Sequence, residues 1–189
     1  MSGHRLGRGE VRTGAAYEAE RAANRSRLAE SASSRRVSLG ADLVLVFEAG
    51  DTVRASLEEL LRAERVADEQ RIAAETAAFA DMVVGDDEIA ATLYLDIADP
   101  AALADRLAEL GDLSSAVSLD LSGARVSARP ERAESGPGAW RLVFAVDEAQ
   151  RRSLLEGGPA SVVVDHPVLR ATAALDSDQV RAVAADLRR

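Results

Sequence analysis

The sequence predicts an α+β fold, with a largely antiparallel mixed sheet, packed helices and an N-terminal helical extension. Three observations predict it. Segments of strand period and of helix period follow one another in mixed order, not in strict alternation. Two hairpin-length turns, Gly40-Ala41-Asp42 and Ser122-Gly123, join neighbouring strand segments. Such short connections pair strands antiparallel, whereas parallel pairing needs a long crossover.

Residues 1–13 read as a disordered tail, rich in glycine and arginine with no apolar period, and residues 14–189 as a single domain. His4, in that tail, is expected in solvent. Residues 14–31 are helical, with Tyr17, Arg21, Arg25 and Leu28 on one face. That face is either an arginine strip for an anion or partner, or a surface helix paired to Glu18, Glu20 and Glu30; the interleaved acids favour the second. Val37 and Leu39 alternate, and Leu43 to Phe47 run apolar without a break, so residues 36–48 read as a strand pair. Gly50-Asp51-Thr52 supply N-cap chemistry for a helix with Val53, Leu57, Leu60 and Leu61 inward. The period slips over residues 63–66, and Asp68 caps a second segment with Ile72, Ala73, Thr76 and Phe79 inward. The pair is one kinked helix or a tight helical hairpin.

Residues 89–97 alternate as a strand after an acidic connector, Asp86-Asp87-Glu88. Asp99-Pro100 starts a helix through Leu103, Leu107 and Leu110 that Gly111 stops. Residues 117–121, 124–128 and 140–146 read as strands, and residues 129–139, with two prolines and two glycines, as a long loop. Asp147 opens a short helix ended by Gly157-Gly158-Pro159. Residues 161–164 form a short buried strand that Asp165-His166-Pro167 interrupts, residues 169–175 return as another, and Asp176-Ser177 caps a last helix.

Composition excludes more than it assigns. The 189 residues hold no cysteine, no lysine and two histidines, so all 23 basic residues are arginine. No thiolate can attack substrate or hold an iron–sulfur cluster, and no lysine can form a Schiff base or sit under a nucleotide phosphate. A formal net charge of −9 argues against nucleic acid and anionic membranes as partners. No apolar run is long enough to span a bilayer, and the first residues lack a secretory apolar core, so the cytoplasm is the expected compartment. Aromatics are only 3 %, which leaves the core to leucine and valine. No catalytic, cofactor-binding or metal-binding residue is assigned, and a non-enzymatic role is expected. The acidic connector lacks the alternation of a calcium loop.

Two clusters stand out. In Asp165-His166-Pro167 the carboxylate can orient the imidazole, as a general base or as a strand-end pair. Arg62, Glu64 and Arg65, beside Asp68 and Glu69, are a salt-bridged helix face or a docking surface.

The strings Arg35-Arg36-Val37 with Gly40, Phe47-Glu48, Leu60-Leu61-Arg62-Ala63-Glu64-Arg65-Val66 with Asp68-Glu69, Ala91-Thr92-Leu93 and Val164-Asp165-His166-Pro167 occur in this order. In these the chain resembles an uncharacterised bacterial family whose genes neighbour those of rubrerythrin-like proteins and a cysteine-rich iron–sulfur oxidoreductase. It departs from that pattern at Ser56 and Glu58, where glutamines are usual, and at Phe79-Ala80, where Tyr-Asn is usual. The resemblance implies a setting of peroxide or redox defence. The expectation is an accessory protein that binds an iron–sulfur or rubrerythrin-like partner through Arg62, Glu64 and Arg65. The alternative is a small-molecule binder or hydrolase using Asp165 and His166, and a third reading is a homo-oligomer without ligand.

Overall fold

The computed structural model describes residues 6–130 and 137–187. A long helix, α1 (Gly14–Ala32), leads into a hairpin of β1 (Arg36–Leu39) and β2 (Leu43–Glu48). Two helices follow, α2 (Gly50–Ala63) and α3 (Glu69–Ala80), then β3 (Glu88–Leu95) and α4 (Pro100–Leu110). The second half holds a hairpin of β4 (Val117–Leu121) and β5 (Ala124–Ser127), then β6 (Arg129–Pro130), β7 (Ala139–Ala145) and α5 (Glu148–Leu155). It closes with β8 (Ala160–His166), β9 (Leu169–Ala174) and α6 (Ser177–Asp186).

The α+β class holds, but the strands form two sheets in place of one. The larger has the order β1-β2-β3-β7-β6 and the smaller β5-β4-β8-β9. Each of these neighbouring pairs is antiparallel, so nothing in them is mixed. The reason lies in burial. Inward residues of the larger sheet, such as Leu45, Phe47, Leu93 and Phe144, share one core with Leu119, Val162 and Val164 of the smaller. Two layers bury both apolar faces, which a single sheet of this length could not do. Val183 of α6 and Leu187, which caps that helix, complete the same core. Each fully buried Leu or Phe is worth roughly 1.5–3 kcal/mol relative to exposure.

Local chemistry starts and stops the elements. Asp99 accepts from the Ala102 N–H at 2.8 Å, with Pro100 in the first helical turn. Asp147 with Gln150 and Asp176 with Gln179 form reciprocal capping boxes on α5 and α6. At α2 the cap differs from expectation. Ala49 occupies the N-cap, and Thr52 Oγ1 reaches back to accept from the Ala49 N–H at 2.9 Å.

Three expectations need correction. Part of the predicted tail is ordered: residues 8–10 form a 3₁₀ turn, and Leu6 and Val11 are buried against Leu57, Leu61 and Ile72. Arg12 anchors this stretch. Its backbone N–H and Nε donate to Glu58 Oε1 at 3.0 and 3.1 Å, and Glu58 is only 1 % exposed. His4 lies outside the described residues. Second, Asp165-His166-Pro167 does not interrupt a strand. β8 runs through His166, which pairs with Leu169, so Pro167-Val168 is the turn of a two-residue hairpin. Third, the predicted long loop starts by pairing Arg129 and Pro130 with Val143 and Leu142; residues 131–136 lie outside the described residues.

The slip in helical period over residues 63–66 resolves as a helical hairpin. The Arg65 N–H donates to the Arg62 carbonyl at 3.0 Å and the Val66 N–H to the Leu61 carbonyl at 2.8 Å. That is the double bond of a Schellman motif, with Leu61 and Val66 in one apolar cluster. The left-handed position, normally glycine, is Arg65 at φ 52°. No helix among the described residues is long and apolar enough to cross a membrane.

Because an L side chain costs free energy in that left-handed position, Arg65→Gly is expected to raise the unfolding free energy by about 0.5–1 kcal/mol in urea denaturation. An equal or lower value would show that Arg65 makes a compensating contact.

Candidate functional site

Along the larger sheet, residues alternate between core and outer face. Val46, Glu48, Ala90, Thr92, Tyr94 and Arg141 share the outer face, with Thr92 directly opposite Arg141. Helices α1 and α2 run over it and leave a cleft of about 630 Å³. Its α1 wall extends the predicted strip through Arg21, Arg25, Leu28 and Ala32, and Arg35 follows in the 3₁₀ turn just beyond α1, at spacings of four, three, four and three residues. That spacing keeps them in one row. Val46, Glu48 and Tyr94 form the floor, and Phe79 and Met82 stand at the end of α3. Tyr94 is 42 % exposed there.

Most charges in the cleft already have partners. The Tyr17 hydroxyl and Arg21 Nε both donate to Glu59 Oε1 at 2.8 Å. The hydrogen bonds from Arg21 and Tyr17 hold the Glu59 carboxyl below its ordinary value. Burial, reinforced by the Glu59 carboxylate, pushes the Tyr17 phenol up to about 12. Arg35 forks onto Asp186 of α6 at 2.6 and 3.1 Å. Glu48 accepts from the Thr92 hydroxyl and from Arg141, whose other nitrogen donates to the Met82 carbonyl. Arg141 is 3 % exposed, and burial lowers its affinity for the proton. Arg25 is exposed and has no ion-pair partner among the described residues.

A second cavity, about 220 Å³, opens between α1 and α2 and shares Leu28, Ser31, Arg35 and Thr52 with the first. Asn24 and Arg54 line it. Asn24 Oδ1 accepts from Arg27, while Asn24 Nδ2 and Arg54 Nε are buried without an acceptor among the described residues. A buried donor left unsatisfied costs about 1–3 kcal/mol.

The sequence-predicted residues sit elsewhere. Arg62 pairs with Glu18 at 2.6 Å, Glu64 pairs with Arg71, and Arg65 is exposed at the helical turn. Arg62 and Arg65 line a separate cavity of about 250 Å³ with Tyr17 and Leu61. Asp165 and His166 lie at the tip of the β8–β9 hairpin. Asp165 pairs with Arg170 across the hairpin at 3.0 Å, and His166 Nδ1 is buried without a partner among the described residues. None of these cavities is lined by Asp165 or His166, so the two predicted clusters do not meet. Sequence reasoning missed Asn24, Arg35, Glu48, Arg54 and Arg141. The arginine strip was readable, since its spacing runs on unbroken from Arg21 to Arg35; the others leave no periodic signal.

A family model described as a protein of unknown function (DUF3501) matches residues 5–187. A crystal structure of a protein of unknown function from Burkholderia pseudomallei is similar over 97 % of this chain and 99 % of its own. The TM-score is 0.89 and the identity 29 %. No curated protein matches the chain.

The Tyr17–Glu59–Arg21 cluster sets a pH dependence. A phenol whose folded value is raised from 10.0 to about 12 contributes stability that is complete below its unfolded value and lost as pH rises toward 12. Glu59, lowered from 4.5, contributes stability that is lost on acidification. With no cysteine or lysine, tyrosines dominate side-chain titration in the alkaline range. Absorbance titration should show one late phenolate step near pH 12, absent in Tyr17→Phe. A step near pH 10 for that residue would break the cluster.

Proposed function

The chain belongs to the DUF3501 family, and we propose that this member is a binding protein, not an enzyme, whose cleft takes a small anion with an apolar body. The observation that carries this reading is the arginine strip of α1. It faces Val46, Phe79, Met82 and Tyr94 across about 630 Å³, in a chain of net charge −9. Guanidinium groups beside apolar and aromatic surface suit a carboxylate or phosphate attached to a ring or alkyl group. Arg25, with no ion-pair partner among the described residues, is a cation available to it. The cleft's carboxylates are tied to arginines, tyrosine and threonine, which supports holding a ligand over acid–base chemistry on it. The reading takes the cytoplasm as the compartment.

The test uses benzoate and phenyl phosphate, followed by calorimetry on the full chain. Saturable binding is expected, and Arg25→Gln should weaken it about fivefold, equivalent to ~1 kcal/mol. Absence of binding at millimolar concentration, or equal affinity in the variant, removes the reading.

An accessory role beside an iron–sulfur or rubrerythrin-like protein is the second reading, favoured by one observation. Arg65 keeps a side chain in a backbone conformation that glycine would adopt at lower cost, and such strain concentrates at functional positions. Arg62, Glu64 and Arg65 are exposed together. Co-purification at micromolar concentration that Arg65→Gly weakens would support it. No association, or association indifferent to that change, would dismiss it.

A further inference from the structure

We infer that the groove between α2 and α3 docks a short partner segment that carries two apolar side chains and then an arginine, and that residues 6–12 of the chain lie in it as an internal stand-in. This does not rest on the cleft reading proposed above.

The groove has an apolar floor and a charged end. Leu57 and Leu61 of α2 and Ile72 and Ala80 of α3 form one cluster with Leu6 and Val11, which flank the 3₁₀ turn of residues 8–10. At the end sits Glu58, 1 % exposed. Its Oε1 accepts from the Arg12 backbone N–H and Nε at 3.0 and 3.1 Å, and its Oε2 from Arg12 Nη2 at 3.1 Å. Arg12 Nη1 reaches Glu20 as well. A planar guanidinium fork meets two carboxylates in this way, which the single ammonium of a lysine does not.

Three features make the stand-in releasable. Its seven residues include Gly7 and Gly9, which lose the most backbone entropy on ordering. Against the ordering of all seven stand two buried apolar side chains and one arginine, so the seated and released states lie close in free energy. The bonds from the Glu10 N–H to the Gly7 carbonyl, at 3.0 Å, and from the Gly7 N–H to Glu10 Oε2, at 2.7 Å, are internal and travel with the segment. Finally, the segment joins α1 through Thr13 and Gly14. Gly14 has φ 56°, and a Cβ there would meet nothing within 4 Å, so the joint has room to turn.

Release specifies the replacement. It bares Leu57, Leu61 and Ile72 and leaves Glu58 without its cation, an apolar patch ending in an uncompensated carboxylate. A chain of net charge −9 draws a basic segment toward that end. Leu6 and Glu10 also wall a cavity of about 170 Å³ that reaches Glu48 and Met82, so displacement of the segment unseals it.

The probe is a labelled peptide of residues 6–13, capped at both ends and titrated into the full chain by fluorescence anisotropy. Wild type should bind it weakly, because its own segment competes. Leu6→Ser with Val11→Ser in the full chain frees the groove and should tighten binding more than about tenfold. Should that variant fold poorly, Arg12→Gln, which loosens only the charged end, takes its place. Arg12→Ala in the peptide alone should weaken binding about tenfold without touching the protein. In wild type, the Gly9 and Glu10 amides should exchange with deuterium far faster than that of Ile72. No binding to either freed variant, equal affinity in wild type and variant, indifference to the peptide's arginine, or exchange as slow as at Ile72 overturns the proposal. A concentration-dependent dimer that Leu6→Ser with Val11→Ser abolishes makes a second copy the occupant and overturns the partner.

Discussion

The Glu48–Arg141 pair is the interaction on which the candidate site depends. Glu48 ends β2 and Arg141 lies on β7, with β3 between them, so their contact crosses a strand and passes over Thr92. A guanidinium this deeply buried loses several kcal/mol of hydration, which attraction repays only if its remaining protons are also bonded. One of them goes to the Met82 carbonyl, beyond the end of α3. The pair therefore does more than join two strands. It fixes the exit of α3 to the sheet and so sets Met82 and Phe79 against the cleft. A well-packed apolar replacement could keep the sheet but would leave the Met82 carbonyl without its donor.

The electrostatics of the site follow from what the chain omits. Every basic side chain in it is arginine, charged at any pH a cell reaches. Neither described cavity of interest contains a histidine or cysteine, so little in the lining titrates between the carboxylate and phenol ranges. The positive wall is permanent. That suits a ligand held continuously and offers no proton switch for its release.

Much of the fold was legible because it is local. The hairpin at Gly40-Ala41-Asp42, the cap at Asp99-Pro100 and the inward row Val53, Leu57, Leu61 all depend on residues within a turn or two of one another. What failed was long-range. Arg12 meets Glu58 across 46 positions and Glu48 meets Arg141 across 93, and neither distance leaves a period to read. The split into two sheets depends on which apolar faces share a core, which strand patterns alone do not specify. The α2–α3 turn was ambiguous for a simpler reason: its Schellman motif has arginine where glycine would have announced it. Of the candidate residues, Arg21, Arg25 and Leu28 share one face by spacing alone, and the interleaved acids make that face read as surface. Their role became visible only when the sheet supplied the opposite wall.

The two walls of the cleft are held by different physics. The sheet floor is fixed by the shared apolar core beneath it. In contrast, α1 buries only Tyr17 and Asn24 along 19 residues. Its hold on α2 comes largely from Tyr17 and Arg21 on Glu59 and Glu18 on Arg62, with Arg12 on Glu58 just before it. Partly exposed ion pairs are each worth little and weaken with salt, so an element held this way opens at lower free energy than one held by burial. An anion entering the cleft would also compete with Glu59 for Arg21. Arg21 thus seats α1 and also lines the cleft, whereas Arg25 lines the cleft and seats nothing, so on the proposed reading a ligand that reached Arg21 would loosen α1 and one held by Arg25 alone would not.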